Sequence, residues 1–178
     1  MIRPNIIKII CHDIGKHLGC YGVKSLSTST IDYLAKEGIL FNNAFATSPG
    51  CSPSRAAIAT GMYPHNTGVL GLAHAHFGWS LDKKIKHIAK YFSSNNYNSI
   101  LFGLQHVTYH EEKLGFNKIF PERPADHVIK NFKDNINTNL FKKPFYAEVN
   151  FFEPHRPFDY GNVKPFRSKG VFVPKFIP

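Results

Sequence analysis

The stretch Cys51-Ser52-Pro53-Ser54-Arg55 puts a thiol, two hydroxyls, a rigid ring and a permanent cation within five residues. The small-residue run that follows, closed by Gly61, reads as a short helix. Pro53 suits the first helical position, so Cys51 is expected just before a helix N-terminus. Such an end offers free N–H groups and partial positive charge, both suited to an anion. Arg55 adds a planar donor fork. Cys51 is open to four readings at this point: filler, thiol nucleophile, metal ligand, or precursor of another group.

Three further places carry chemically capable residues. In "CHDIGKHLGC" the Asp13 carboxylate follows an apolar run, where an isolated charge is costly unless a cation or donors satisfy it. A divalent metal ligand is the functional reading and a turn cap the bland one. His12 is a candidate second ligand; if imidazole ligates, the ion can be softer than Ca²⁺ or Mg²⁺, which want oxygen. "GLQH" brings His106 and "EPHRP" brings His155. In "GLAHAHFGW", His74 and His76 read as a loop lining a pocket entrance rather than a metal pair. Lys16 and His17 read as surface residues.

The elements that must position these groups alternate. Strands are expected over 5–11, 38–46, 98–103 and 144–152. Helices are expected over 27–38, 54–61, 81–95 and 125–141, the last two amphipathic. In the third helix Ile85, Ile88, Ala89 and Phe92 share a face; in the fourth, Val128, Ile129, Phe132 and Ile136 do. The Pro- and Lys-rich tail reads as an irregular surface segment. This order implies an α/β fold, a mostly parallel sheet flanked by helices. Ligands bind at the carboxyl ends of such strands. His12-Asp13, "CSPSR", His106 and His155 each follow a predicted strand, so all four places are expected on one rim.

The bulk composition agrees with a folded domain. The chain has 178 residues, 43% of them hydrophobic and 14% aromatic, enough for one domain with a core. Its net charge of +10 favours an anionic partner or reflects a basic proteome. No Lys/Arg run resembles a nucleic-acid arm, and no nucleic-acid partner is expected. The three cysteines contain no CxxC pair, which fits a reduced compartment. The N-terminal apolar run is too short for a signal peptide and nothing reads as a membrane span, so a cytoplasmic location without a membrane partner is expected.

The motifs together resemble the sulfatase family. The spacing excludes a protein-tyrosine-phosphatase loop, which needs more residues between Cys and Arg. It matches the sulfatase signature C-x-P-S-R-x4-T-G in full, with Thr60-Gly61 closing it. "RPNIIKIICHDIGKHLGCYG" resembles the family's opening strand and "GCYG" turn. "STSTIDYLAKEGILFNNAFA", "FGLQH" and "FFEPHRPF" resemble later segments, and the likeness is greatest to the heparan N-sulfatase-like branch. The resemblance covers almost all of residues 1–178. It implies an alkaline phosphatase-like catalytic domain.

The resemblance also implies the chemistry. Cys51 would be oxidised to formylglycine by a formylglycine-generating or anaerobic sulfatase-maturating enzyme. The hydrated aldehyde would attack sulfur in a sulfated small molecule or glycan, as an O-sulfate or an N-sulfate. Arg55 would stabilise the hydrate and His106 would assist it. His155 would contact the sulfate or protonate the leaving group. Ser52, Pro53 and Ser54 would serve recognition by the maturing enzyme. Asp13, His12 and residue 51 itself would hold a divalent metal, calcium by family precedent or another ion because of His12.

Several positions depart from the family pattern. His12 stands where most members have an Asp. Leu104 stands where a sulfate-binding Lys is usual, with Gln105 as a candidate replacement donor. The family's later metal-ligand segment and small C-terminal domain are missing from the given sequence. A truncated, weakly active chain with an unpaired sheet edge and an exposed apolar face is therefore expected. Two other readings stay open: a phosphate or phosphonate ester hydrolase of the same superfamily, and an inactive fragment.

Overall fold

The computed structural model describes residues 3–74, 76, 78–156 and 158. The predicted tail lies outside the described residues. Four strands form one sheet: β1 (Ile6–Cys11), β2 (Asn98–Gly103), β3 (Lys118–Phe120) and β4 (Phe145–Phe151). Their order is β1-β4-β2-β3 and every pair is parallel. The helices are α1 (Ser29–Glu37), α2 (Cys51–Thr60), α3 (Pro64–Thr67), α4 (Ile88–Ser94) and α5 (Ala125–Asn135). No described helix is long and apolar enough to cross a membrane.

The two sheet faces differ because side chains alternate along each strand. Ile100, Phe102 and Val149 form one face, packed with Val128 of α5 and with Phe132 and Phe141. Phe102 stacks on Phe120 with ring centroids 4.9 Å apart. On the opposite face β4 presents Tyr146, Glu148 and Asn150, all buried. Lys8 stands in register with Glu148 across the β1–β4 ladder, and its Nζ lies 2.6 Å from Oε1. Tyr146 donates its hydroxyl to the same oxygen at 2.5 Å, and Asn150 donates to Oε2 at 3.2 Å. A charge at this depth is tolerated because it is paired and hydrogen-bonded.

β1 forms the outer edge of the sheet, and among the described residues no strand pairs beyond it. Ile7 and Ile9 on that strand are 49% and 59% exposed. Among the described residues this edge is unpaired and its outer apolar side chains are exposed.

Three expectations are corrected. The segment 38–46 forms no strand; Ile39, Phe41 and Phe45 are exposed. Its carbonyls are met by side chains instead, Phe41 O by the Tyr21 hydroxyl at 3.0 Å and Asn42 O by Lys16 Nζ. The predicted helix over 81–95 shrinks to α4. Asp82 draws residues 82–85 into a turn, accepting from Lys84 N at 2.8 Å, and His87 caps α4 by accepting from Ala89 N at 3.1 Å. In α5 Val128 and Phe132 face the core, whereas Ile129 and Ile136 are 43% and 42% exposed. The three-residue β3 carried no legible pattern.

Two glycines are required by close approach. A Cβ on Gly19 would meet Asp32 Oδ2 at 2.4 Å, where that carboxylate accepts from Cys20 N. Gly103 has φ +87°, and a Cβ there would lie 2.0 Å from Asn150 O. Gly103 ends β2 and starts the loop to His106. Gly103→Ala should therefore lower unfolding stability by about 1–3 kcal/mol or more, through strain and displacement of β4. Denaturant unfolding checks this, and an unchanged midpoint would refute it.

Candidate active site

Parallel pairing sends the carboxyl ends of β1, β4 and β2 to one edge. The ladder continues past the strands: His12 N donates to Glu153 O at 3.2 Å, and Leu104 N to Asn150 O at 3.3 Å. His12 is thus drawn against His155, their rings 4.5 Å apart, edge to face. His12 Nδ1 lies 2.8 Å from Asp13 Oδ1, and His155 Nε2 lies 3.8 Å from Asp13 Oδ2. Asp13 and His106 both have positive φ, 54° and 60°. Asp and His enter that region more readily than most residues, and such conformations collect at functional sites.

Cys51 is the first residue of α2, with Gly50 as its N-cap. This corrects the expected placement: Cys51 lies inside the helix end, and Pro53 takes the third position rather than the first. The proline is tolerated because first-turn N–H groups have no intrahelical partner. Ser54 N makes the first helical bond, to Gly50 O at 3.0 Å. One turn on, Arg55 is 6% exposed and donates from a terminal nitrogen to Leu104 O at 3.1 Å. Burial lowers the guanidinium pKa, while Cys51, Glu148 and Asp13 oppose that shift. Cys11, His12, Asp13, Cys51, Ser54 and Arg55 line one cleft of about 360 Å³.

His106 completes the group. Donor atoms of His12, Cys51 and His106 lie within 4.8 Å of one another, as do those of His12, Asp13 and His155. Burial, then the charges of His74, Arg55, His12 and Arg123, pushes the His106 imidazole down to about 4. Burial lowers His12 as well, with Asp13 opposing and Arg55 and His155 adding to the effect. Both rings are neutral at pH 7.

Of the sequence-predicted groups, His12, Asp13, Cys51, Arg55, His106 and His155 all converge on this edge. His74 also belongs to it: its ring stacks on His106 at 4.6 Å, and its Nδ1 contacts His106 Nε2. The loop is held by Ala73 N, which donates to the buried Ser52 Oγ at 3.0 Å. His76 is exposed. Gln105, the candidate replacement donor, is engaged locally. Its Nε2 donates to Thr108 O at 2.6 Å and its Oε1 accepts from Val107 N at 2.6 Å, so the amide serves the local turn. The buried Glu148–His87 pair beneath the site had no sequence signal, because a lone acid in an apolar run names no partner.

These features define an α/β protein of the alkaline phosphatase-like class, with an anion-ready helix end at the sheet's carboxyl edge. The family profile described as Sulfatase matches residues 4–172, and the chain belongs to the sulfatase family. It is 33% identical over 158 residues to an ulvan-active sulfatase of Formosa agariphila, covering 86% of this chain and 30% of that protein. It is 28% identical over 183 residues to human N-sulphoglucosamine sulphohydrolase, covering 98% of this chain and 35% of that protein. A solved protein from Bacteroides thetaiotaomicron, assigned as a sulfatase, superposes with TM-score 0.71 at 25% identity, over 97% of this chain and 40% of that one. The chain therefore spans about a third of these curated relatives.

Two outcomes follow from this geometry. Ser52→Ala leaves the Ala73 N–H without its acceptor and should cost about 1–3 kcal/mol. It should also speed hydrogen exchange at Ala73; unchanged exchange would contradict the tie between loop and helix. Burial lowers His87 from 6.5 to about 4, with Glu148 opposing. Unfolded His87 therefore binds protons more readily than folded His87, and its stability contribution is full above 6.5 and lost as pH falls towards 4. The urea midpoint should fall across that window, and His87→Gln should flatten the slope.

Proposed function

We propose that residues 1–178 carry the strand-end catalytic site of a hydrolase for sulfate esters or sulfamates on sugars. The observation that carries this reading is Cys51 at the start of α2, sharing one cleft with Arg55, His12 and Asp13. A tetrahedral dianionic or monoanionic group placed there would meet α2 N–H groups and a desolvated guanidinium. The named relatives above act on sulfated sugars by their descriptions, which supports the substrate class.

In this reading Cys51 is oxidised to formylglycine by a maturing enzyme, and the aldehyde supplies a hydrated nucleophile when present. Arg55 is positioned by Leu104 O to steady charge beside residue 51. His106 lies beside residue 51 and, neutral at pH 7 with its pKa pushed down to about 4, is better suited to accept a hydrogen bond there than to take a proton. His155 stands next to Asp13, where it can face a leaving group.

A divalent metal is part of the same reading, and His12, Asp13 and His155 form one ligand-sized group for it. Calcium takes six to eight oxygens. The described residues offer two imidazoles and a single carboxylate in that group, a set that does not by itself fit calcium.

The test is co-expression with a maturing enzyme, followed by peptide mass spectrometry across Cys51 and assays on aryl sulfate, sugar sulfamate and aryl phosphate. An aldehyde at residue 51 and preference for sulfur over phosphorus are expected; phosphate preference would overturn the reading. Arg55→Ala should cost about 10²–10³ in kcat. His155→Ala should cost about 10²–10⁴ on a sugar sulfate and less on an aryl sulfate, whose leaving group needs no proton.

A further inference from the structure

His12 belongs to two ligand-sized groups at once, and they differ in chemistry. One pairs it with Asp13 and His155, the other with Cys51 and His106. The second group holds two nitrogens, one sulfur and no oxygen. Thiolate and imidazole select ions of the zinc class, while calcium and magnesium select oxygen.

The surroundings of the second group match a built transition-metal site. Each imidazole has one nitrogen engaged and the other left over. His12 Nδ1 lies 2.8 Å from the Asp13 carboxylate, which leaves Nε2. His106 Nε2 contacts His74 Nδ1, which leaves Nδ1. That His106 Nδ1 is buried and makes no hydrogen bond, an expensive state for a ring nitrogen without a partner. Metal-bound histidines characteristically have the far nitrogen held by a carboxylate or another polar group. Cys51 is partly exposed, so an ion can reach the sulfur from solvent. Arg55 opposes a bare dication, and a metal-bound sulfur at residue 51 would carry charge that offsets it.

We propose that, while residue 51 is an unmodified thiol, the cleft binds a zinc-class divalent ion through Cys51 Sγ, His12 Nε2 and His106 Nδ1. Binding releases the thiol proton to solvent and leaves a fourth position open. Three protein ligands with one open position is the arrangement of accessible zinc sites. The metal preference of the cleft is thereby tied to the chemistry of residue 51. Any modification that removes the sulfur removes the soft ligand, leaving His12 to the Asp13–His155 group. This inference does not rest on the hydrolytic reading, since it concerns the thiol form.

The experiment is Co²⁺ titration of the reduced 178-residue chain. One equivalent should produce a thiolate-to-cobalt charge-transfer band. Zn²⁺ should abolish the band, and excess Ca²⁺ should leave it. Cys51→Ser should remove it and Cys11→Ser should retain it, although Cys11 lines the same cleft. His106→Gln should weaken Co²⁺ binding by at least about 10-fold, and His155→Gln should not. In wild-type protein Zn²⁺ should protect Cys51, but not Cys20, from alkylation, a readout that stands even if a variant fails to fold. Absence of the band, its loss in Cys11→Ser alone, displacement by Ca²⁺, or no protection of Cys51 would each overturn the proposal. Metal spectroscopy reads this inference and an aldehyde at residue 51 reads the other, so either can fail alone.

Discussion

A permanent positive charge, the guanidinium of Arg55, sits inside the protein with 6% of the residue exposed. Arginine does not escape burial by losing its proton at ordinary pH, so its surroundings must supply compensation. The Leu104 carbonyl takes one of its donors, and Cys51, Glu148 and Asp13 supply the opposing field. Leu104 lies just past β2, Cys51 starts α2, Glu148 lies in β4 and Asp13 follows β1. Satisfying one side chain therefore ties together every element that contributes to the site.

The register of the sheet supports the same arrangement from below. Lys8 pairs with Glu148 across β1 and β4, and that pairing is in step with Cys11 beside Phe151. A one-residue slip of β1 would turn Lys8 to the opposite face of the sheet and leave Glu148 without it. Burial pushes the Glu148 carboxyl up, but Lys8, His87 and the hydrogen bonds from Lys8 and Tyr146 together hold it below the usual carboxylate range. With the register set, His12 must meet Glu153, and its ring must meet His155.

The strand-end positions of His12, Asp13, His106 and His155 were legible because β-branched and aromatic runs announce strands, and polar residues directly after them announce the edge. The expected strand over 38–46 was not realised. Its apolar residues alternate imperfectly, and its carbonyls found side-chain donors in Lys16 and Tyr21 instead of a neighbouring strand. The helix over 81–95 was overextended because apolar spacing takes no account of caps. Asp82 and His87 each bind nearby N–H groups and divide the segment. Gln105 is a similar case: a free amide in the sequence becomes the clasp of a four-residue turn.

The sequence alone determined which reactive groups stand close along the chain: a signature with fixed spacing from Cys51 to Gly61, and the polar residues that follow the strands. Such information is local, because spacing along a helix end or a turn decides which atoms a short segment can present. Only the tertiary structure decided which of those residues share space. The second role of His12, between a carboxylate group and a thiol group, and the contact of His74 with His106 arise from segments far apart in the chain. They meet because parallel strands deliver their ends to one edge and because a buried arginine must be neutralised there. Neither condition is written in any single stretch of residues.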